Sequence, residues 1–445
     1  MRDRQAQASC KNGDSGIENV ISYLFYQSPM VERPRGTRDL TPEEMAKRRY
    51  VVDVIRKVSD SFGFREISTP TFENAELFIM RSGPDVVDQM YVFRDKKDRE
   101  LALRPELTAS VIRFFVDKLK NYPKPLKLYY LGNCFRYERP QKGRYREFYQ
   151  YGAELIGGRS LDSDAELINL AVSVVRGIGL KNASLRVGNI GILRKLLESS
   201  SDVMARLRCV STENFDELSN LLAKDGLSEM EDTILSLAKL KGADVLDEAR
   251  DLVGDKATEE VDYLETLGRV LKNLSMEDIQ YEPGMVRGLD YYTGMVFEID
   301  CPNLGAEKQI MGGGSYSLAY LLGGEPIFST GFAFGVDRMV MALEAEDSPF
   351  PRKGIEVFVI PIGDPMREKA MGILKTLRDN GIPSDMDLVG RGPSKNLDYA
   401  NTVGAKKVIF VGEDEWSRNS VSVKDMETGE QSDVPVDQLI DSLSQ

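Results

Sequence analysis

Apolar residues recur at helical spacing from Pro42 to about Phe62, with Val51, Val54, Ile55 and Val58 on one face. Thr41 reads as the N-cap of this helix, Pro42 as its first residue, and Glu43 and Glu44 as the acidic first turn. Gly63 ends it, and FREISTPTFE follows as a strand interrupted by Pro70. Short strands and helices alternate to about residue 190. From about 190 to 282 the pattern changes to Leu, Glu, Asp, Lys and Ala at helical spacing, with almost no strand signal (ENFDELSNLLAKDG, EEVDYLETLGRVLKNL). That stretch predicts a helical insertion inside an α+β domain spanning 30–350. Strands return at Pro283, and a helix near Asp337 to Ala345 closes the domain. EDSPFPRKG marks a linker. From 354 to 445 the order is strand (IEVFVIPIG), helix, strand, helix, strand (AKKVIFVG), hairpin and final helix, which predicts a small α/β domain with a partly parallel sheet. Residues 1–29 carry little periodicity beyond a run from Val20 to Tyr26. They read as a mobile extension, or Met30 as the biological start.

The segment Lys127–Gly157 carries the most chemistry. Two strand-like runs flank the polar loop RPQKGRYRE, as in an antiparallel hairpin. Residues two apart on a strand share a face. Arg136 and Glu138 therefore fall together on the first strand, and Phe148, Gln150, Gly152 and Glu154 on the second. One face then offers a guanidinium, a ring, an amide, a bare backbone position and carboxylates, a platform for a flat, polar, anionic ligand. The competing reading is a solvated outer face with a charged turn. Gly152 weighs against it, because glycine weakens a strand unless something must approach closely.

Composition narrows the chemistry. The chain contains no histidine, so imidazole is excluded as base, proton shuttle or metal ligand. Serine hydrolases of the Ser-His-Asp type and HExxH zinc sites go with it. Cys10, Cys134, Cys209 and Cys301 are scattered without a CxxC pair, so neither a zinc ribbon nor a disulfide framework is expected, and no protein-held metal. A net charge of −13 argues against nonspecific polyanion binding, although a local basic groove can still hold RNA. No apolar run approaches the roughly 20 residues that span a bilayer, and the N-terminus lacks the apolar region of a signal peptide. A cytoplasmic location is the expectation.

FRYERP followed by GRYREFYQYGAE resembles motif 2 of class II aminoacyl-tRNA synthetases, in the form found in histidyl-tRNA synthetases. The helix–strand unit ending at Pro70 resembles motif 1, a dimer-interface element. GFAFGVDRMVMAL resembles motif 3, and VRGLDYYTGMVFEI resembles the peptide that sets histidyl enzymes apart from their class relatives. The resemblance covers nearly everything from Met30 onward. It implies an antiparallel-sheet catalytic core with a helical insertion and a C-terminal anticodon-binding domain. It also implies ATP, with Mg2+ bound through its phosphates, histidine and tRNA(His) as ligands, and a homodimer.

Carried over residue by residue, the resemblance gives Arg136 the ATP α-phosphate, Phe148 the adenine ring and Glu138 a contact to the base. Arg338 would hold the γ-phosphate, and Arg144 would lie on the loop that closes over ATP. Glu106, Thr108 and Gln150 would bind the substrate amino group, while Glu154 and Tyr292 would pair with the two imidazole nitrogens. Arg287 would sit beside the α-phosphate and carboxylate, with Tyr291 and Tyr316 also lining the histidine site. Taken singly, Arg338 reads as a surface helix charge and Tyr292 as a core tyrosine. Only the set, in order along the chain, departs from that.

Where family members often read AGGRYD, this chain has Gly313-Gly314-Ser315-Tyr316-Ser317, which leaves the roles of the missing arginine and aspartate unassigned. Tyr137 and Tyr149 stand where relatives often have histidine, on the strand face opposite the ligand set. Two alternatives remain open: a nonenzymatic histidine-sensing paralog, expected to lack the tail and the ATP-binding arginines, and a class II synthetase for another amino acid.

Overall fold

The structure, a computed structural model, describes residues 32–79, 87–139, 143–288, 291–351 and 354–443. The expectations for residues 1–29 lie outside these, as do Pro140, Gln141 and Lys142 of the hairpin loop, Leu289 and Asp290 of the RGLDYY peptide, and Arg352 and Lys353 of the linker. The chain divides into two units between Pro349 and Phe350.

The first unit is organised by an eight-stranded sheet. In chain order its strands are β1 (Arg65–Ile67), β5 (Leu126–Phe135), β6 (Glu147–Ile156), β7 (Ser184–Asn189), β8 (Ile279–Tyr281), β9 (Tyr292–Asp300), β10 (Gln309–Tyr316) and β11 (Ser329–Gly335). Between β1 and β5 come β2 (Phe72–Asn74), β3 (Tyr91–Arg94) and β4 (Glu100–Leu103), which form a separate three-stranded sheet. The large sheet runs β1-β5-β6-β11-β10-β9-β7-β8. Its six central strands are antiparallel, and only the edges β1 and β8 pair in parallel. FREISTPTFE is thus not one interrupted strand but two, in different sheets, because Pro70 cannot donate to a ladder.

The first helix, Pro42–Ser61, begins as its sequence predicts. Thr41 Oγ1 accepts from the Glu44 N–H at 3.3 Å, and the Glu44 carboxylate accepts from the Thr41 N–H at 2.7 Å. Such a reciprocal cap contributes about 1 kcal/mol. The helix buries Val51, Val52 and Ile55, while Val54 and Val58 are only partly covered. Its Ser59 hydroxyl meets the Tyr151 hydroxyl of β6 at 2.8 Å. Helices Ser160–Gly177 and Val336–Ala345 cover the same side of the sheet. Odd-numbered positions of β6 therefore face helices, which leaves the even-numbered positions for a cavity.

The insertion differs from its predicted span at one end. Helices run from Ile190 to Asn273, but Ile279–Tyr281 form β8, paired in parallel with β7 at the sheet edge. Three residues are too few to show a period of two, so β8 merges with the helical pattern in sequence. The first hairpin strand also ends earlier than expected, at Phe135. The Arg136 N–H still donates to the Arg146 carbonyl across the hairpin, while the Phe135 and Tyr137 N–H groups, on the other side of the strand, donate to the carbonyls of Arg104 and Gln89. Arg136 and Glu138 lie just beyond β5 rather than within it.

The second unit is a five-stranded sheet, β13-β12-β14-β15-β16, with β12 (Val357–Pro361), β13 (Ser384–Met386), β14 (Lys407–Val411), β15 (Ser420–Asp425) and β16 (Gln431–Pro435). The first three are parallel and the last two antiparallel. Val357 and Val359 pack toward helix Arg367–Asp379, whereas Phe358 and Ile360 join the cluster holding Ala400 of helix Pro393–Thr402. Burial on both faces explains why this strand reads as an unbroken apolar run.

Candidate active site

Cross-strand register assembles the site. Tyr130 of β5 lies opposite Gly152, Gly152 opposite Ala333, Ala333 opposite Gly312, Gly312 opposite Glu298, and Glu298 opposite Arg186. Directly opposed residues share a face, so one row crosses six strands with large polar groups at its ends and three small residues in its middle. That profile is a trough. A Cβ on Gly152 would overlap the Tyr130 hydroxyl, and one on Gly312 would overlap the Arg287 guanidinium. The neighbouring row behaves alike, since a Cβ on Gly331 would overlap the Glu154 carboxylate. Gly331→Ala is therefore expected to destabilise the fold by about 1–3 kcal/mol, read as a lowered Tm.

Two adjoining cavities occupy the trough. One, of about 260 Å³, is lined by Glu106, Thr108, Glu154, Tyr291, Tyr292 and Tyr316. The other, of about 310 Å³, is lined by Glu138, Arg144, Phe148 and Arg338. Arg136, Gln150 and Arg287 line both and form the passage between them. Every residue the sequence singled out as a site residue reaches one of the two cavities.

Glu154 lies at the closed end, 1% exposed. Its Oε1 accepts from the Tyr130 hydroxyl at 2.9 Å and its Oε2 from the Tyr316 hydroxyl at 2.6 Å. Burial pushes its pKa up to about 8, against the two tyrosine bonds, which favour the carboxylate. Glu106 is also buried, with its carboxylate accepting the N–H groups of Thr108 (2.6 Å) and Ala109 (2.9 Å) at the start of helix Thr108–Phe114. Burial raises its pKa, while those two N–H bonds and Arg136 oppose the rise. The Gln150 amide oxygen takes the Cys134 thiol at 3.4 Å, which turns the amide NH2 away from that bond.

The larger cavity is lined by four guanidinium groups. Arg136 is held by an Nε bond to the Pro105 carbonyl at 2.9 Å, lies 5.4 Å from the centre of the Phe148 ring, and approaches Glu138 at 3.8 Å. Arg338 donates to the Gln309 carbonyl at 2.5 Å and to Glu307 at 2.6 Å. The same Glu307 oxygen takes Arg144 at 3.2 Å. Arg287 donates to Glu298 at 2.7 Å. Four positive charges beside a ring and a carboxamide suit a polyphosphate joined to a flat base. Among the described residues no group of three or more Cys, Asp or Glu could hold a metal ion.

Tyr130, Glu298 and Glu307 escaped the sequence reading. Tyr130 was recoverable, because it shares the parity of Arg136 on the first strand; Glu298 and Glu307 required the strand order. Ser315, which replaces the family's arginine, points to the opposite face and donates to the buried Asp164 at 2.8 Å. Ser317 lies 3.5 Å from the Ile327 carbonyl, away from both cavities. Tyr137 and Tyr149 lie beneath Arg146 and Arg48, and neither lines either of these two cavities.

Comparisons with known proteins identify the family. Residues 36–339 match the family model for histidyl-tRNA synthetase, and residues 356–445 that for an anticodon binding domain. The chain is 43% identical over 417 residues to a histidine–tRNA ligase of Archaeoglobus fulgidus, covering 93% of this chain and 99% of that protein. It is 43% identical over 418 residues to the Methanocaldococcus jannaschii counterpart, covering 92% and 99%. The crystal structure of apo S. aureus histidyl-tRNA synthetase superposes with a TM-score of 0.70 at 30% identity, covering 93% of this chain and 100% of that one. With family matches across both units and near-complete coverage of these relatives, the chain belongs to the histidyl-tRNA synthetase family.

Proposed function

We propose that the protein is a histidine–tRNA ligase. The observation that carries this reading is the buried Glu154, held by two tyrosine hydroxyls at the closed end of a cavity that opens past Arg136 and Arg287 onto the arginine-lined one. The closed end suits an imidazole ring, with Glu154 on one ring nitrogen and Tyr292 on the other. Glu106, Thr108 and Gln150 surround the substrate amino group, and Tyr291 and Tyr316 line the ring's walls.

In the first step a carboxylate oxygen of histidine attacks the α-phosphorus of ATP. The bond to the β-phosphate oxygen breaks, pyrophosphate leaves, and histidyl-adenylate forms. The nucleophile is already ionised, so no general base is needed, which suits a histidine-free chain. Negative charge builds on the α-phosphoryl oxygens, between Arg136 and Arg287, and fixed guanidinium groups are worth most there. Phe148 stacks on adenine, Glu138 contacts the base, and Arg338 with Arg144 receives the terminal phosphates. Mg2+, carried on those phosphates, would shield their charge. In the second step a hydroxyl of the tRNA(His) 3′ terminal ribose attacks the adenylate carbonyl and AMP leaves. ATP–pyrophosphate exchange tested across the amino acids checks the reading. Exchange with histidine alone is expected; no exchange would favour a histidine-sensing paralog, and exchange with proline or glycine would overturn the specificity.

The second unit serves as the anticodon-binding domain in this reading, supported by the match over residues 356–445. Lys395, Lys406, Lys407 and Arg391 are candidate phosphate contacts, with Arg391 already tied to Asp387 at 2.8 Å. Deletion of residues 354–445 should leave histidine-dependent exchange partly intact and reduce tRNA charging by about 10²-fold or more, in line with losing an RNA contact surface. Full charging by the truncated protein would refute the assignment.

A homodimer is supported by exposed apolar residues on and beside the three-stranded sheet, Phe72, Ile79, Val92 and Phe93. Phe93→Asp should shift sedimentation from dimer toward monomer. Among the described residues no helix is long and apolar enough to cross a membrane, which is compatible with a cytoplasmic location; fractionation with the ribosome-free cytosol is the check.

A further inference from the structure

Behind the reaction centre lies a charge cluster that the mechanism above does not use. Arg186, Glu298 and Gly312 are consecutive members of the row across β7, β9 and β10. Glu298 Oε1 accepts from Arg287 Nη1 at 2.7 Å and from Gln309 Nε2 at 2.8 Å. Its other oxygen accepts from Arg186. Arg186 also donates to Asp300 at 3.0 Å and to Glu282 at 2.5 Å. Lys308 pairs with Asp300 at 3.1 Å and Lys241 with Glu282 at 2.7 Å.

We propose that Glu298 is a positioning residue for Arg287, and that Arg186 keeps Glu298 from cancelling the charge that Arg287 brings to the reaction. The proposal rests on the assignment of Arg287 to the reaction centre. Three features carry it.

The first is anchorage. Arg287 is a long side chain across the floor of a trough that Gly312 leaves open. Glu298 is its charged hydrogen-bond acceptor, at 2.7 Å; the Phe297 carbonyl lies at 3.4 Å, the Tyr292 side chain also bonds it, and its buried Nε has no partner among the described residues. The charged pin on the guanidinium is thus Glu298, while the side chain borders both cavities. Without that pin its rotamers would spread, and the charge would no longer be fixed before the substrate arrives.

The second is charge balance. A single buried carboxylate facing Arg287 would neutralise it. Here Glu282, Glu298 and Asp300 are matched by Arg186, Lys241 and Lys308 before Arg287 is counted. Arg287 is the excess cation of the cluster, so it remains available to a developing negative charge. The third is register. Because Arg186 and Glu298 are directly opposed across two antiparallel strands, the brace is built into the sheet and needs no loop to close.

A double-mutant cycle in the full-length protein, read by histidine-dependent ATP–pyrophosphate exchange, tests this. Arg287→Ala should lower kcat by about 10²–10³-fold, the scale for removing one fixed donor to a transition-state anion. Glu298→Ala should lower kcat by about 10–10²-fold, with the KM for histidine within about threefold of wild type. The double variant should fall within about threefold of Arg287→Ala alone, because the two changes remove one function. Glu298→Gln keeps an acceptor oxygen in place and should lose about fivefold less than Glu298→Ala, since the bond is no longer charge-assisted. If Glu298→Ala does not fold, Glu298→Gln takes its place in the cycle. Multiplicative losses in the double variant would overturn the proposal, as would full activity of Glu298→Ala and Glu298→Gln beside an impaired Arg287→Ala. Full activity of Arg287→Ala would instead remove Arg287 from the reaction centre, and the positioning role would fall with that assignment.

Discussion

Replacing Arg136 with alanine should reduce histidine-dependent ATP–pyrophosphate exchange by about 10²–10³-fold while leaving the fold intact. The size follows from how the side chain is held. Its Nε is tied to the Pro105 carbonyl, its guanidinium lies 5.4 Å from the centre of the Phe148 ring, and it lines both cavities, where the proposed mechanism puts the bond being made. A group already oriented needs no rearrangement as charge develops, which is why it acts mainly on kcat. Its removal leaves no hole in the apolar core, and Tm should move by only a few degrees for a change of about 1 kcal/mol. Arg136→Lys separates charge from geometry. Lysine keeps the positive charge but has no Nε to bond Pro105 and no planar fork for two oxygens, so a loss of about 10²-fold should persist. A lysine variant with near wild-type kcat would show that charge alone suffices and would sink the geometric account. A large rise in the KM for ATP with kcat unchanged would place Arg136 in ground-state binding instead.

How much of this site could be read without coordinates depends on distance along the chain. The hairpin face was legible because alternation on a strand is a local rule, and Phe148, Gln150 and Glu154 obey it. The same rule would have placed Tyr130 beside Glu154, had parity been followed back from Arg136. What alternation cannot supply is which strand lies next to which. Gly312, Gly331 and Ala333 form the trough only because β11 inserts between β6 and β10, a neighbour relation between residues separated by a long insertion. Glu298 and Glu307 follow from that order and had no local signal. The same limit explains the misread ends. On the side of the hairpin strand away from β6, the Phe135 and Tyr137 N–H groups go to the carbonyls of Arg104 and Gln89, partners far away in the chain that no local pattern names. The edge strand β8 owes its conformation to pairing with β7, not to its three residues. In the second unit the reverse holds: β12 is covered on both faces, so its apolar run identifies it directly.

Glu154→Gln should lower kcat/KM for histidine by about 10²-fold and, more tellingly, change how it depends on pH. In the free protein burial holds the Glu154 pKa at about 8, so near neutrality the pocket keeps a proton on this carboxyl. Free imidazole titrates near about 6.5. A complex that shares one proton between carboxyl and ring then has a defined optimum. Below about 6.5 the ligand arrives with its own proton and one must be released, so affinity falls as pH falls. Above about 8 neither partner carries the proton and one must be taken up, so affinity falls as pH rises. An amide cannot titrate, so the glutamine variant should lose the alkaline limb and keep the acidic one.

Stability should respond in a linked way. The folded state holds this proton between the ordinary carboxyl value of 4.5 and about 8, whereas the unfolded chain does not. Its contribution is therefore complete at low pH and is lost as pH rises through that window. The difference in Tm between Glu154→Gln and wild type should accordingly move in favour of the variant as pH rises through the same range. An alkaline limb that survives in the variant, together with an unchanged KM for histidine, would mean that the ring binds elsewhere in the trough.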